Sequence, residues 1–445
     1  MLGLVAYCLI LLALIIGVWR RPTVGVAAVL CLFGLKQWGQ SSTAFFAEYR
    51  QFTNFAVFFI ALFGLLRVAQ RRSCVFCGIP TVSVLIITLY SYAFVSIVWS
   101  LDPTAALAQW AEQGPYVITV TLLAPLLFSD FDDTRTALTW TATVGTAICL
   151  LSLVFGNWGV RGLLLYGHDA ATGGENIFAF ETNPLAMSSL AGTVVVISAL
   201  WFARPNRPVR RFLAVICILI GLAVALRTGS RGQLIAIGVA LIVALPIAFR
   251  MKEGRSTAAL LVTVLVVGGM GWWATSFVEV DSARWASSSS VEAVTGRFDN
   301  AELLLRASIA TLRGMIFGLG NSSAFKVLGI YPHITGLEVI AEEGIIGAAM
   351  YFAILFLAIR SIVRIISRPD FTDLKRNVLA MITGLFVFEL IVSWKQGSLL
   401  ISVYVFAYAI ILARLESPIR AAKNYLVPDM AAAHPSVPRF QNLLR

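Results

Sequence analysis

Between residues 296 and 347 the chain carries Arg297, Arg306 and Arg313, then His333, then Glu338, Glu342 and Glu343. Guanidinium forks bind phosphate oxygens in pairs. A neutral imidazole poised near physiological pH serves as a general base. Arginines followed by a histidine and carboxylates therefore read as half of an active site for an anionic substrate. The stretch is the tail of the longest polar interval in a very apolar chain, and it runs directly into a membrane helix.

Other chemistry-bearing residues stand at the starts of apolar runs. Arg227-Thr228-Gly229-Ser230-Arg231 puts two arginines in a tight turn. Ser230 and Gln233 have capping-box spacing, which makes Ser230 the N-cap and Arg231 the first helical residue. An arginine at that position opposes the positive end of the helix dipole. Its presence makes sense when an anion occupies the site, since free N–H groups at a helix start bind phosphate. The bland alternative is a snorkelling anchor in the headgroup layer.

Asn183-Pro184 is a second such start, with Asn as N-cap and Pro as first helical residue. The loop before it supplies Arg161, His168, Glu175 and Glu181. The third start follows His333, where Thr335 and Glu338 again have capping-box spacing. Capping is a sufficient structural reason for Glu338. His333 lies just ahead of that cap, where the dipole favours the neutral imidazole, while Glu342 and Glu343 push the other way. Arg306 falls in an amphipathic segment, 299–312, suited to lie on a membrane surface, and Arg297 stands two residues before it.

The scaffold for these residues is a bilayer. The 445-residue chain is 59% hydrophobic and 13% charged, with mean hydropathy +0.85, whereas soluble domains carry about 25% charged residues. Apolar runs fall at 2–18, 22–35, 52–66, 82–99, 116–128, 137–155, 185–202, 212–226, 232–249, 258–277, 337–366, 378–394 and 398–412. They predict an all-α polytopic membrane protein with about 12–13 transmembrane helices, the second and fifth runs being short enough to be re-entrant or tilted. Residues 1–415 form the membrane domain, with outer loops at 157–183 and 279–335, and 416–445 form a polar, Pro-containing cytoplasmic tail without fixed structure. The first run ends in Arg20-Arg21 and reads as a retained helix.

The net charge of +11 does not point to nucleic acid, because most basic residues sit in short loops that obey the positive-inside rule. Arg20-Arg21, Arg67, Arg71 and Arg72, and the loops 204–211, 250–255 and 360–376 mark the cytoplasmic side. The opposite side receives 36–50, 100–114, 157–183, 227–231, 278–334 and 395–397, with Met1 outside and Arg445 inside. The cysteines mostly lie in apolar runs, and Cys74-x-x-Cys77 lacks the second pair that a zinc site needs.

Taken together, Thr-Gly-Ser-Arg-Gly at 228–232, Gly-Arg-Phe at 296–298 leading to Gly318-Leu319-Gly320, and His333 followed by Gly344-x-x-Gly347 resemble the O-antigen ligase and Wzy polymerase superfamily of bacterial surface-glycan enzymes. Asn183-Pro184 also fits, and the resemblance covers residues 183–347 by motif. Ile334 departs from the Asn, Ser or Gln that tends to follow the histidine in ligases. Arg161 and Gly173, spaced like Arg306 and Gly318, are similar to the paired outer loops of the polymerases.

The resemblance implies a GT-C-like fold in the bacterial inner membrane and a metal-independent, inverting glycosyl transfer at its periplasmic face, with no cofactor. The implied donor is a glycan on undecaprenyl pyrophosphate, and the acceptor a glycan or lipid A-core. Catalytic roles then fall to His333 at the acceptor and to Arg231 and Arg297 at the pyrophosphate. Substrate contacts fall to Arg227, Ser230, Arg161, Arg306, Asn183 and Glu338. The outer loops hold no Asp-x-Asp pair for a metal-dependent transferase. A flippase or transporter is the rival class, with Glu389 as the clearest charge inside an apolar run.

Overall fold

The computed structural model describes residues 2–71, 79–128, 130–167, 177–202, 208–249, 287–330, 333–369 and 371–416. The apolar run at 258–277, the candidate residues His168 and Glu175, and the tail from 417 onward lie outside them.

Helix α1 (Leu2–Arg20) is followed by a buried 3-10 turn at Pro22–Val24 and by α2 (Gly25–Leu30), α3 (Leu32–Ser42) and α4 (Ala44–Glu48). Next come α5 (Phe52–Arg71), α6 (Thr81–Ser96), α7 (Pro103–Tyr116), a π-helical stretch at Val117–Leu123, α8 (Ala124–Leu126) and α9 (Phe131–Phe155). A hairpin of β1 (Leu164–Gly167) and β2 (Ile177–Glu181) precedes α10 (Pro184–Phe202), α11 (Pro208–Arg227) and α12 (Arg231–Ala248). The remainder is α13 (Ser287–Ile309), α14 (Leu312–Phe317), α15 (Ala324–Leu328), α16 (Thr335–Glu342), α17 (Gly344–Ile366), α18 (Asp373–Gln396) and α19 (Val403–Glu416).

Among the described residues nine helices are long and apolar enough to cross a bilayer: α1, α5, α6, α9, α10, α11, α12, α17 and α18. The protein is an all-α polytopic membrane protein. α18 and α10 are the most buried of the nine, and α1 and α11 the least, so the first pair forms the centre of the bundle and the second its rim. α19 is buried along nearly its whole length beside them.

Small residues allow the close approach, as is usual where lipid removes the hydrophobic drive between helices. Gly192 faces the ring of Phe388, Gly221 faces Val195, and Gly384 faces Val196, Leu200 and Ala244. The short second and fifth runs are not straight spans. The second is divided between the turn at Pro22–Val24, α2 and the start of α3, and the fifth is π-helical and then α-helical.

The loop at 157–183 contains an antiparallel ladder, Leu164 opposite Glu181 and Gly167 opposite Ile177, extended by a bridge between Trp158 and Leu163. Its strands were not legible as an apolar period. The run at 337–366 is not one helix either. It breaks at Glu343, and Gly344 takes φ +65° to turn α16 into α17.

Long-range contacts sort the connections into two ends. At one, Arg21 donates to Thr136 Oγ1, Arg67 stacks on Trp19, Arg414 donates to the Phe128 carbonyl, and Arg364 pairs with Glu416. At the other, Gln37 meets Asn183, Ser100 meets Asn321, Arg161 meets Thr228, and Lys395 meets Ser230. Gly3 lies against Ser42 at this second end. Among the described residues, the contacts of Arg21, Arg67, Arg364 and Arg414 thus gather at the end opposite the α11–α12 turn.

Candidate functional site

The turn between α11 and α12 is the centre of the second end. Arg227, in the last turn of α11, spreads its guanidinium over Trp158 at 5.2 Å and donates to the carbonyls of Gly159 and Val160, both at 2.9 Å. Arg161 returns the contact, with Nε 3.2 Å from the Thr228 carbonyl and Nη2 3.3 Å from that of Gly229. Two arginines thereby zip the 157–163 loop to the 227–230 turn. A guanidinium that satisfies backbone carbonyls is building the site wall, and both residues are positioned as structure.

Ser230 is the N-cap and Arg231 the first residue of α12, as the spacing predicts, but the capping box does not form. Gln233 donates its amide to the Leu185 carbonyl at 2.9 Å, and Ser230 Oγ lies 3.4 Å from Lys395 Nζ. Tertiary partners outcompete the local cap. Asn183 does cap α10, its Oδ1 accepting from Leu185 N at 3.1 Å, and Gln37 donates to its carbonyl at 2.7 Å. The starts of α10 and α12 are therefore held side by side through Leu185 and Gln233.

Lys395 was not among the residues singled out from sequence. The signal was available, because it is a cation at the end of an apolar run, the same reasoning that selects Arg231. Its side chain fills the space beside Gly232, where an added Cβ would lie 2.1 Å from Lys395 Cδ. Trp394, its neighbour, lies against Gly336 in α16 and donates to Tyr351 at 3.0 Å. Two consecutive residues thus touch the arginine turn on one side and the helix that follows His333 on the other.

The second predicted capping box also fails. The N-cap of α16 is Ile334 and makes no side-chain cap bond. Thr335 Oγ1 reaches instead to the Ser393 carbonyl at 2.9 Å and Ser402 Oγ at 2.8 Å. Glu338 accepts from Leu399 N at 3.1 Å and is buried. The start of α16 is pinned to the 393–402 turn, which fixes His333 relative to Lys395 through a short chain of contacts. His333 itself sits at φ +63° and Ser322 at φ +60°, and these are the two non-glycine residues with positive φ among those described. Such outliers persist where surrounding structure enforces them, and they gather at functional sites.

The Gly318–Ser323 loop packs against the end of α16. Glu342 accepts from Ser322 N at 2.7 Å and Ala324 N at 2.8 Å, and Glu343 accepts from Asn321 Nδ2 at 3.2 Å. Asn321 also receives Trp110 Nε1 on its side chain and Ser100 Oγ on its carbonyl, and its N–H donates to Ser96 Oγ. Gly318 and Gly344 meet here, and a Cβ on Gly318 would fall 2.1 Å from the Glu342 carbonyl oxygen.

All three glutamates precede the span that begins at Gly344. Burial raises their carboxyl pKa values, Glu343 to about 7 against the opposing hydrogen bonds of Asn321 and Ser96. Glu338 and Glu342 are raised by burial first and then by their acidic neighbours.

Arg306 does not join the group through any contact described. It pairs with Glu302 one turn away on an exposed face of α13. Arg297 lies in α13, and its side chain is outside the described residues.

The fold defines a polytopic helical membrane protein in which Arg231, Lys395 and the starts of α10 and α12 gather at one end of the bundle. No protein-family model matches the chain, and no curated protein matches it significantly.

Proposed function

We propose that the protein is a membrane glycosyltransferase of the O-antigen ligase kind, moving a glycan from undecaprenyl pyrophosphate to an acceptor hydroxyl at the periplasmic face of the bacterial inner membrane. The observation that carries this reading is the meeting of Arg231, Lys395 and the starts of α10 and α12 in one place, tied through Trp394 to the His333-bearing segment. Cations and helix N-termini together suit a pyrophosphate whose lipid tail stays in the bilayer.

In this mechanism the acceptor oxygen attacks the anomeric carbon as the bond to the pyrophosphate breaks on the opposite face. His333 takes the acceptor proton, and Arg231, with Arg297, stabilises the charge that develops on the departing pyrophosphate. Arg161 and Arg227 act through the shape of the turn. Joining repeat units instead of ligating a finished chain uses the same chemistry with a different acceptor.

The test is the glycan profile of a deletion strain complemented with wild type or His333→Ala. Long chains retained on undecaprenyl pyrophosphate and missing from the acceptor identify a ligase. Single repeat units in place of long chains identify a polymerase. Lipid-linked units trapped on the cytoplasmic face identify a flippase and overturn the transferase reading.

A further inference from the structure

Glu389 lies inside α18, well within the span Asp373–Gln396, and none of the chemistry above uses it. It is 8% exposed, and Ser189 Oγ donates to its Oε1 at 2.9 Å. Beside it is a cavity of about 30 Å³ lined from α2, α3, α10, α18 and α19, and no lysine, arginine or histidine is among its lining residues. The polar lining is Glu389, Ser189, Thr193, Tyr404 and Tyr408.

An intramembrane acid usually marks an ion or proton site, and a buried carboxylate with one hydroxyl donor is poorly compensated. Every polar side chain around the cavity is an oxygen donor, the set that hard cations prefer. A single carboxylate balances one positive charge. The volume is sufficient to admit a small ion. Tyr404 donates to the Val29 carbonyl at 3.1 Å, which fixes its ring and leaves its oxygen lone pairs usable. Ala186 also lines the cavity, close to the start of α10 at Pro184, so it lies toward the site-bearing end.

We propose that this cavity binds one monovalent cation such as sodium, held by Glu389 and the surrounding hydroxyls and joining α10, α18 and α19. The inference is independent of the transferase reading. The test is the melting temperature of the purified full-length protein in sodium, potassium and choline chloride at matched ionic strength and pH, with direct binding of radioactive sodium as a second readout.

A saturable rise of a few degrees in sodium over choline is expected for wild type. Glu389→Gln should abolish that rise, and Ser189→Ala should weaken sodium binding tenfold or more. Equal melting of wild type in all three salts, with no sodium bound, overturns the proposal and leaves a protonated carboxyl. A sodium response that persists in Glu389→Gln overturns it as well. If Glu389→Gln does not fold, Ser189→Ala decides, and undiminished sodium affinity there is a negative result.

Discussion

Lys395 Nζ stands 3.4 Å from Ser230 Oγ, so the turn between α18 and α19 delivers a cation to the N-cap of α12, next to Arg231. Like charges crowd a helix end that is already positive. Under the transferase reading Lys395 is a donor-binding residue, its cation set at a helix start that attracts anions. Loss of one charged hydrogen bond is worth about 1.5–3 kcal/mol, so Lys395→Ala is expected to lower transfer about 10- to 100-fold. Lys395→Arg should restore most of it. The check is an in vitro assay with purified lipid-linked donor, and unchanged KM and kcat in Lys395→Ala would remove the residue from the site.

Arg227 has a different role. Its guanidinium satisfies two carbonyls and a tryptophan face, and Arg161 binds the same turn from the other side. Arg227→Ala leaves the Gly159 and Val160 carbonyls without their donor, a loss of about 2 kcal/mol in stability. Arg227→Lys should recover little, because a lysine reproduces neither the fork nor the planar stacking. Since both arginines hold one loop to one turn, combining Arg227→Ala with Arg161→Ala should cost less than the sum of the singles. Additive losses in melting temperature would mean that the two act separately.

Stability should fall as pH rises through neutrality. Glu338, Glu342 and Glu343 all have carboxyls raised by burial, Glu343 from 4.5 to about 7. The folded state then binds more protons than the unfolded chain, so the contribution is complete below about pH 4.5 and is lost as pH climbs through about 7. Glu343→Gln, which mimics the neutral acid facing Asn321 and Ser96, should flatten the melting profile across that window. A wild-type melting temperature that climbs between pH 5 and 8 contradicts the assignment.

The membrane helices were legible because a bilayer demands long apolar runs. The run at 185–202 appears as Pro184–Phe202 and the run at 232–249 as Arg231–Ala248. The segregation of Arg67 and Arg364 from Lys395 and Arg161 was legible from loop charge. What failed was local reasoning about side chains whose partners are remote. Ser230 and Thr335 have capping-box spacing, yet Lys395, Ser393 and Ser402 claim their hydroxyls. Ser100 and Asn321 meet across more than two hundred residues, and no periodicity records that. Glu342 looked like one more acid beside a histidine, and its carboxylate instead holds the backbone of the Gly318–Ser323 loop.

His333 allows folding and chemistry to be separated. Its φ of +63° is a left-handed conformation, which costs an L-residue roughly 1–2 kcal/mol and a glycine almost nothing. His333→Gly relieves that strain while adding freedom to the unfolded chain, and the two effects oppose each other. The variant should therefore melt within a few degrees of wild type, and His333→Ala, which keeps the strain, should melt no higher. Both lose the imidazole, so both should lose transfer, as should Arg231→Ala and Arg297→Ala at normal membrane insertion. The measurement pairs melting temperature with glycan transfer for each variant. Transfer at the wild-type rate by well-folded His333→Gly would show that the backbone turn, and not the imidazole, is what this position contributes.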